Sequence, residues 1–503
     1  MDGDTLRVRL AAAYGASLDG VTLAWDESRD AAAVSLADRV APMLGEPRPD
    51  AATLYADPPL APPWPRWPAT AGAGTAASVR AVTDWAATRG ADLSAVEIRT
   101  APNGNRTVHA RRQLWRQAPV MFIPRALMIV DEDLERSELG RDVFAERNVF
   151  DSRHTALAAW LAVERTRAGS PWRTYFDTLP ADPDLPAFRS EADLARLADS
   201  AALASVAIVR RMLDADHTRL VGLLGDRAPE RAGLAWARAI CSSRLFKLTI
   251  DGHDRRGLVP VADFFDHGGG DTTWRYDDAA GGLVITAARN LDEGEELRLD
   301  YGSFSNAHFL THYGFAAADN ADDVALIVFP RAPDAFRDVL AACLWDLPLG
   351  APVELEVGTR VEGGLRRALS LARLHTASYR EIILSNDHGR FAERNFLWLH
   401  ADHDRAALAL VADAARAGLA RLGEPGPLPD DATPWQRTCA TVRAGERATL
   451  DAIAQLPERA SPYLDDPAPW TWRRAATSMD ILSRGADCVV RSYILNIADE
   501  LPR

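Results

Sequence analysis

The fold of this chain is decided by three blocks that follow in order: WARAICSSRLF at residues 236–246, LVPVADFFDH at 258–267 and LRLDYGSFSNAHFLTHYGF at 297–315. Each block combines apolar residues typical of buried elements with a few polar residues that can serve a site. The last block carries Tyr301 and Tyr313, and a glycine follows each of them. One such block alone would indicate structure more than function, because a tyrosine that ends a strand usually caps a core. The three blocks together, in this order and spacing, indicate a common site.

Size and charge limit the class of protein. A chain of 503 residues exceeds one hydrophobic core, so two or three domains are expected. The composition, 47% hydrophobic and 25% charged, is that of an ordinary soluble globular protein. The formal net charge of -14 argues against broad binding to nucleic acid, whose phosphates need a basic surface. The same charge would attract a basic peptide.

The sequence also carries expectations about location and metals. No apolar run reaches the length of a membrane span, and the first residues, MDGDTLRVRL, lack the pattern of a signal peptide. We therefore expect a cytoplasmic protein that does not bind membranes. The four cysteines, Cys241, Cys343, Cys439 and Cys488, are far apart and show no zinc-type spacing. We expect buried free thiols and no metal site.

Strand-like and helix-like segments divide the chain into parts. Residues 1–56 match nothing recognisable, and residues 57–75 are rich in Pro and Gly, as in a linker or surface loop. A helix is predicted at 77–89 and strands at 96–130, and helical spacing dominates 150–240. Strands return at 257–265, 274–277, 283–287 and 297–301, with a turn at 292–295 that suits a hairpin, and helical spacing follows from about 331. The prediction is an α+β fold: a β-rich domain at 76–330 with a helical insert at about 150–240, then an all-α domain at 331–503.

This organisation resembles the SET-domain protein methyltransferases of the RuBisCO large-subunit methyltransferase-like class. MFIPRALMIV at 121–130, followed by SELG at 137–140, is similar to the strand and turn that hold the cofactor in that class. HTALAAWLAVERTRAGSPWRTYFDTLP at 154–180 is similar to the start of the insert that splits the SET domain. The resemblance implies S-adenosylmethionine (SAM) as the cofactor. It also implies that the C-terminal helical domain binds the protein substrate.

The resemblance assigns roles to particular residues. Tyr301 stands at the place of the catalytic tyrosine. Three residues, Phe246, Ala262 and Tyr313, stand at places that line the acceptor pocket. The residues that the resemblance places against SAM are Glu138, Leu139, Gly140, Ser243, Arg244, Asp263, Asp266, His267, Tyr301 and Phe315.

The sequence departs from the class pattern in two places. Asp266 replaces an Asn that comes directly before the histidine. A carboxylate there could pair with the sulfonium or ammonium of SAM, or it could lower the affinity for SAM. The glycine turn of the class is replaced at residues 104–107, and His109 stands at the place of a cofactor-contacting arginine.

The acceptor of the methyl group is expected to be a lysine. A free lysine has a pKa of about 10.4, and an apolar channel next to a sulfonium would lower that pKa and free the lone pair. Phe246, Ala262 and Tyr313 resemble the lysine-directed members of the class more than the histidine-directed ones. Histidine, or an amine of a small peptide, is the alternative acceptor. Another alternative is a binding module that kept the fold and lost the reaction. The protein is expected to be a monomer.

Overall fold

The computed structural model describes residues 60–67, 75–101, 105–152, 154–330, 332–333, 337, 341, 352–359, 364–378, 401–424 and 426–464. Residues 1–56, whose sequence shows no recognisable pattern, lie outside these ranges, as do Cys343 and Cys488. Within the ranges, no helix is both long and apolar enough to cross a membrane.

The strands of the described residues form three sheets. They are β1 (Val96–Thr100), β2 (Arg106–Ala110), β3 (Pro119–Pro124), β4 (Ile129–Val130), β5 (Leu245–Ile250), β6 (His253–Leu258), β7 (Asp266–Asp277), β8 (Gly282–Ala287), β9 (Glu296–Leu299), β10 (Val324–Phe329) and β11 (Val353–Gly358). The largest sheet has the order β1-β2-β9-β7-β8-β3, and a smaller one has the order β4-β6-β5. Neighbouring strands are antiparallel except β7 and β9, which run parallel.

The helices confirm the predicted α+β class. They are α1 (Ala76–Ala87), α2 (Asp131–Leu134), α3 (Glu138–Ala145), α4 (Thr155–Thr166), α5 (Arg173–Phe176), α6 (Glu191–Leu194), α7 (Ala201–Leu224), α8 (Arg231–Arg244), α9 (Asn306–Tyr313), α10 (Leu365–Thr376), α11 (Ala401–Leu422), α12 (Pro434–Ala454) and α13 (Leu456–Leu464). α4 to α8 lie between the β-rich segments, as the 3.6-residue period predicts. Apolar residues from these helices and from the two larger sheets share one core.

Two local predictions differ from the structure. The turn at 292–295 does not close a hairpin, because β9 lies between β2 and β7 rather than beside β8. The N–H of Gly294 bonds to the carbonyl of Ala110, and Leu291 pairs with Leu114, so the chain turns towards β2. The strand predicted at 257–265 ends at Leu258, because Val261 has a φ of 73° and a 3₁₀ turn follows at Ala262–Phe264.

The sequence had predicted an all-α domain at 331–503, but the described part of this region also contains the strand β11. β11 pairs with β10 along its whole length, from Val353 opposite Phe329 to Gly358 opposite Val324. The first five residues of β11 alternate between buried and exposed positions, which is the pattern of a strand with one covered face. α11 and α12 pack against this hairpin and supply the helical character of the region.

Residues 60–67, predicted as a linker or surface loop, pack on the helical insert. The Trp64 side chain is only 2% exposed, and its backbone N–H donates to the carbonyl of Ala187 at 2.9 Å. Trp67 meets Trp236 edge to face at 5.5 Å, and the guanidinium of Arg165 lies over both of these rings. The segment is therefore part of the core, because its aromatic side chains need apolar cover.

We expect Trp64→Ala to lower the free energy of unfolding by about 3–5 kcal/mol, because it leaves a cavity under the segment. Urea denaturation of wild type and variant measures this difference. Trp115→Ala is the matched control, since Trp115 is 62% exposed. Its change should stay within about 0.5 kcal/mol. Equal effects of the two substitutions would show that residues 60–67 do not contribute to the core.

A buried carboxylate joins the C-terminal helices to the insert. Glu446 of α12 is 2% exposed and accepts hydrogen bonds from the Ser200 hydroxyl at 2.8 Å and the Ala201 N–H at 2.9 Å. It thereby caps the N-terminus of α7 from another part of the chain. Burial raises the pKa of Glu446 to about 7, and the nearby carboxylate of Asp323 adds to this rise.

We expect Glu446→Gln to change how stability depends on pH. The raised pKa means that the folded wild type holds the proton more tightly, so it loses stability as pH rises from about 4.5 to about 7. Glutamine does not titrate, so the variant should gain about 2–3 kcal/mol relative to wild type between pH 5 and pH 8.

Unfolding free energies at the two pH values test this expectation. Glu424→Gln is the control, because the Glu424 side chain is 85% exposed. A difference between Glu446→Gln and wild type that does not vary with pH would contradict the assignment.

Candidate active site

The three sequence blocks meet at one cleft with a volume of about 500 Å³. This volume is within the range of small-molecule sites, which is roughly 300–1,000 Å³. The lining residues come from the start of β2, the insert near residue 180, the end of α8, the turn before β7 and the chain around α9. They are Asn105, Arg106, Pro180, Pro183, Asp184, Leu185, Ser243, Arg244, Asp263, Phe264, Phe265, Asp266, His267, Tyr301, Tyr313, Gly314 and Phe315.

Local backbone geometry brings the blocks together. α9 ends at Gly314, whose φ of 84° is left-handed, and its N–H bonds to the carbonyls of Phe309 and Leu310. A Cβ at this position would lie 2.7 Å from the carbonyl oxygen of Asp184. Only glycine therefore allows the insert to approach the end of α9 so closely. The glycine after Tyr313 thus closes the wall of the cleft between Tyr313 and Phe315.

A buried polar network forms the floor of the cleft. The Arg244 guanidinium donates to the carbonyl of Asp263 at 2.8 Å and to its Oδ2 at 3.2 Å. The hydroxyl of Tyr175, from α5 of the insert, donates to the same Oδ2 at 3.0 Å. Burial raises the pKa of Tyr175, so its hydroxyl stays protonated. The other oxygen of Asp263, Oδ1, is buried and has no hydrogen-bond partner among the described residues.

Tyr301 is held at the junction of two blocks. Its hydroxyl donates to the carbonyl of Phe265 at 2.5 Å, and its backbone N–H donates to Nδ1 of His267 at 3.2 Å. Burial raises the pKa of Tyr301 and lowers the pKa of His267, so both side chains are neutral near pH 7. Tyr313 stacks on Tyr301 with ring centroids 5.1 Å apart.

Further aromatic rings surround this pair. The rings of Phe309 and Phe315 stack at 5.0 Å, and His267 lies 4.6 Å from Phe309. The tyrosines are thus embedded in an apolar wall on one side and open to the cleft on the other. Such a wall excludes water, and the faces of its aromatic rings can attract a cation.

The structure brings most of the predicted residues to the cleft. Eight of them line it: Ser243, Arg244, Asp263, Asp266, His267, Tyr301, Tyr313 and Phe315. Five others are not among the residues that line this cleft: Glu138, Leu139, Gly140, Phe246 and Ala262.

Each of the five residues that do not line the cleft has a structural role where it lies. The first turn of α3 holds Glu138 to Gly140, where the Ser137 side chain accepts from the Gly140 N–H, and a Cβ on Gly140 would overlap the Leu134 carbonyl. Phe246 packs edge to face on Trp274 at 5.1 Å. Ala262 is fully buried beneath the turn. Their binding roles stay predictions.

Sequence reasoning missed Arg106. It is buried, its guanidinium donates to the Thr178 carbonyl at 2.6 Å and lies 4.4 Å from the centre of the Phe264 ring. Burial lowers its pKa to about 10, and it remains charged at neutral pH. His109, which the sequence placed in the arginine position, is on the opposite face of β2, with Nδ1 2.9 Å from the Gly294 carbonyl. The two-residue alternation of β2 separates these faces and could have pointed to Arg106.

Metal ligands are not grouped in the part of the chain that the structure describes. Its residues contain no group of three or more His, Cys, Asp or Glu side chains that could hold a metal ion. Cys241 and Cys439 are buried free thiols, and burial raises the pKa of Cys241 to about 12. A thiol with so high a pKa is a poor nucleophile and a poor ligand.

We expect Tyr175→Phe to destabilise the protein by about 1–3 kcal/mol, because it removes one donor from the buried Asp263 carboxylate. Thermal or urea unfolding measures this cost. Tyr313→Phe is the matched control, because no hydrogen bond joins the Tyr313 hydroxyl to another described residue. A smaller effect for Tyr175→Phe than for Tyr313→Phe would mean that the network does not hold the insert.

Comparison with known proteins finds sequence relatives that include actin-histidine N-methyltransferases. No protein-family model matches the chain. The actin-histidine N-methyltransferase of Danio rerio is 26% identical over 251 residues, and that of Homo sapiens is 24% identical over 251 residues. Each alignment covers 48% of this chain and 42% of the relative. The chain therefore spans less than half the length of the curated relatives it matches.

Solved structures with a similar fold include two of the Rubisco enzyme abbreviated LSMT. The SET domain of LSMT bound to lysine and AdoHcy has a TM-score of 0.63 and 20% identity, and the match covers 83% of this chain and 99% of that one. Rubisco LSMT bound to AdoMet has a TM-score of 0.61, with 20% identity over 82% of this chain and 99% of that one. The sheet interrupted by a helical insert and these similarities show that the chain has the SET fold.

Proposed function

We propose that this protein is a SAM-dependent N-methyltransferase that acts on a side-chain nitrogen of a protein or peptide, with lysine as the acceptor. The observation that carries the proposal is the cleft in which the Tyr301 hydroxyl meets the Phe265 carbonyl beside Arg244, Asp263 and His267. Two kinds of similar protein support N-methyl transfer from SAM. Solved structures with this fold are bound to AdoMet or AdoHcy, and the sequence relatives are histidine N-methyltransferases.

The cleft residues fit SAM by their chemistry. SAM carries a carboxylate, an ammonium, an adenosine and a sulfonium, and the sulfonium supplies an electrophilic methyl group. Arg106 and Arg244 provide positive charge for a carboxylate, and the Asp266 carboxylate accepts hydrogen bonds. His267 and Phe315 provide flat apolar surface. The set therefore contains a partner for each polar part of the cofactor.

The protein side chains have three tasks in the transfer. The acceptor nitrogen must be neutral to attack, and the apolar wall around Tyr301 and Tyr313 favours the neutral form by desolvation. The Tyr301 hydroxyl, kept protonated by burial, and the Phe265 carbonyl form a fixed polar pair at the wall of the cleft. Fixed dipoles that need no reorganisation stabilise developing charge, and alignment of the reacting groups lowers the barrier further.

Lysine is our preferred acceptor, and histidine is the second candidate. Tyr313 supports lysine because it lies on the cleft and its ring can face an alkylammonium. Phe246 and Ala262, which had also suggested lysine, do not line the cleft, so Tyr313 is the residue on which the choice rests. The sequence relatives favour histidine. Mass spectrometry of peptides from a cell extract incubated with the enzyme and labelled SAM separates the two.

The rest of the functional setting is also a proposal. We propose that the C-terminal helices α11 to α13 bind the protein substrate, as the resemblance implies. We further propose that the enzyme works as a cytoplasmic monomer and binds neither nucleic acid nor membranes. The net charge of -14 supports the exclusion of nucleic acid, because phosphate binding needs a basic surface.

We expect Tyr301→Phe to lower kcat about a hundredfold or more while SAM still binds, because the polar group at the reaction centre is lost and the ring is kept. Methyl transfer from labelled SAM measures turnover, and isothermal calorimetry measures binding. Tyr276→Phe is the control, since Tyr276 lies in β7 away from the cleft and should keep full turnover.

Two outcomes would contradict this scheme in different ways. Full activity of Tyr301→Phe would remove Tyr301 from the reaction and leave the enzyme assignment standing. Absence of SAM binding by the wild type would instead favour a binding module that kept the SET fold and lost the reaction.

A further inference from the structure

Asp266 differs from the other charged residues of the cleft because its carboxylate has no ion-pair or hydrogen-bond partner among the described residues. Arg244 is paired with Asp263, and Asp184 is paired with Arg189. Arg106 donates to a backbone carbonyl. No ion pair or hydrogen bond joins the half-buried Asp266 side chain to another of the described residues.

Three arginines near Asp266 favour its charged form, but none of the described residues forms an ion pair with it. Arg298, on the neighbouring strand β9, is committed to Glu296 at 3.0 Å. The charged groups that act on Asp266 are Glu296, Arg244, Arg298 and Arg106. Burial raises its pKa, and the negative Glu296 adds to this rise. A partly desolvated carboxylate without a partner is costly, so this position is suited to a cation that arrives with a ligand.

Asp266 also lies beside the predicted reaction centre. The residue before it supplies the carbonyl that accepts the Tyr301 hydroxyl, and the residue after it, His267, accepts from the Tyr301 N–H. Burial is the main cause of the raised pKa of Tyr301, and the charge of Asp266 contributes to the rise. The carboxylate therefore acts electrostatically on the place where methyl transfer is proposed.

We propose, on the basis of the proposed function, that Asp266 is a specificity-determining residue that makes the cleft favour the cationic methyl donor over its neutral product. During transfer the C–S bond breaks with its electron pair going to sulfur, and an N–C bond forms from the lone pair of the acceptor nitrogen. The positive charge leaves the sulfur and passes to the acceptor. S-adenosylhomocysteine then carries a neutral thioether, and its attraction to Asp266 ends. The Asn of the class pattern is uncharged and cannot supply this difference.

Equilibrium binding of three ligands tests the proposal. The ligands are SAM, S-adenosylhomocysteine and sinefungin, which carries an amine in place of the methylsulfonium. We expect Asp266→Asn to weaken SAM and sinefungin about tenfold relative to S-adenosylhomocysteine, since the change removes one charge near the donor centre. The ammonium and carboxylate are common to all three ligands and cancel in the ratio of dissociation constants.

The same ratio should depend on pH. Because the pKa of Asp266 is raised, its charge forms over a higher pH range than for an ordinary aspartate. Wild-type preference for SAM over S-adenosylhomocysteine should therefore grow as pH rises above about 4, where an ordinary aspartate ionises, and Asp266→Asn should lack this rise. Asp184→Asn is the matched control, because this cleft carboxylate is already paired and should leave the ratio unchanged.

The outcomes separate this proposal from the proposed function. Equal weakening of all three ligands, or an unchanged ratio, would overturn the role of Asp266 and leave SAM binding intact. The same shift in Asp184→Asn would also overturn it, since the effect would then come from total charge. If the folded wild type binds none of the ligands, the proposed function fails and this proposal fails with it. Melting temperatures of both variants establish that they are folded.

Discussion

The buried ion pair between Arg244 and Asp263, with the Tyr175 hydroxyl as its third member, is the interaction on which the rest of the site depends. Arg244 ends α8, Asp263 belongs to the turn before β7, and Tyr175 belongs to the insert. One carboxylate therefore ties together three segments that are distant in sequence. A buried charge is costly unless it is paired and hydrogen-bonded, so this ion pair favours the observed packing of the three segments.

The arrangement explains why the insert is part of the cleft rather than an appendage. Pro180, Pro183 and Asp184 line it, and the Trp236 indole N–H donates to the Pro180 carbonyl at 2.9 Å. Trp67 covers Trp236 from outside. The part of the insert that lines the cleft is thus held by the Tyr175 hydrogen bond to Asp263 and by the packing of residues 60–67 on Trp236. A rigid cleft of this kind costs less to order when a ligand binds.

The order of strands and helices could be read from the sequence because it depends on local period and composition. The residues of the cleft could be read because blocks such as that from Asp263 to His267 remain contiguous in the fold. Pairing between distant segments could not be read. β9 enters the sheet between β2 and β7, and β11 pairs with β10, and neither choice leaves a local pattern. Arg106 was missed for a related reason, since its role depends on which face of β2 is covered.

The parallel contact between β7 and β9 has a consequence for how the molecule is made. In the sheet, β9 lies between β2 and β7. β2 comes before the insert in the chain and β7 comes after it. Val108 of β2 pairs with Leu297, and His267 of β7 pairs with Leu299. Contacts between residues so far apart in the chain form slowly, because the entropy of closing the loop is lost before the contacts compensate. Tyr301 follows β9 directly. Tyr301 therefore reaches its place only after the long intervening segment has closed, and the cleft of a newly synthesised chain is completed late in folding.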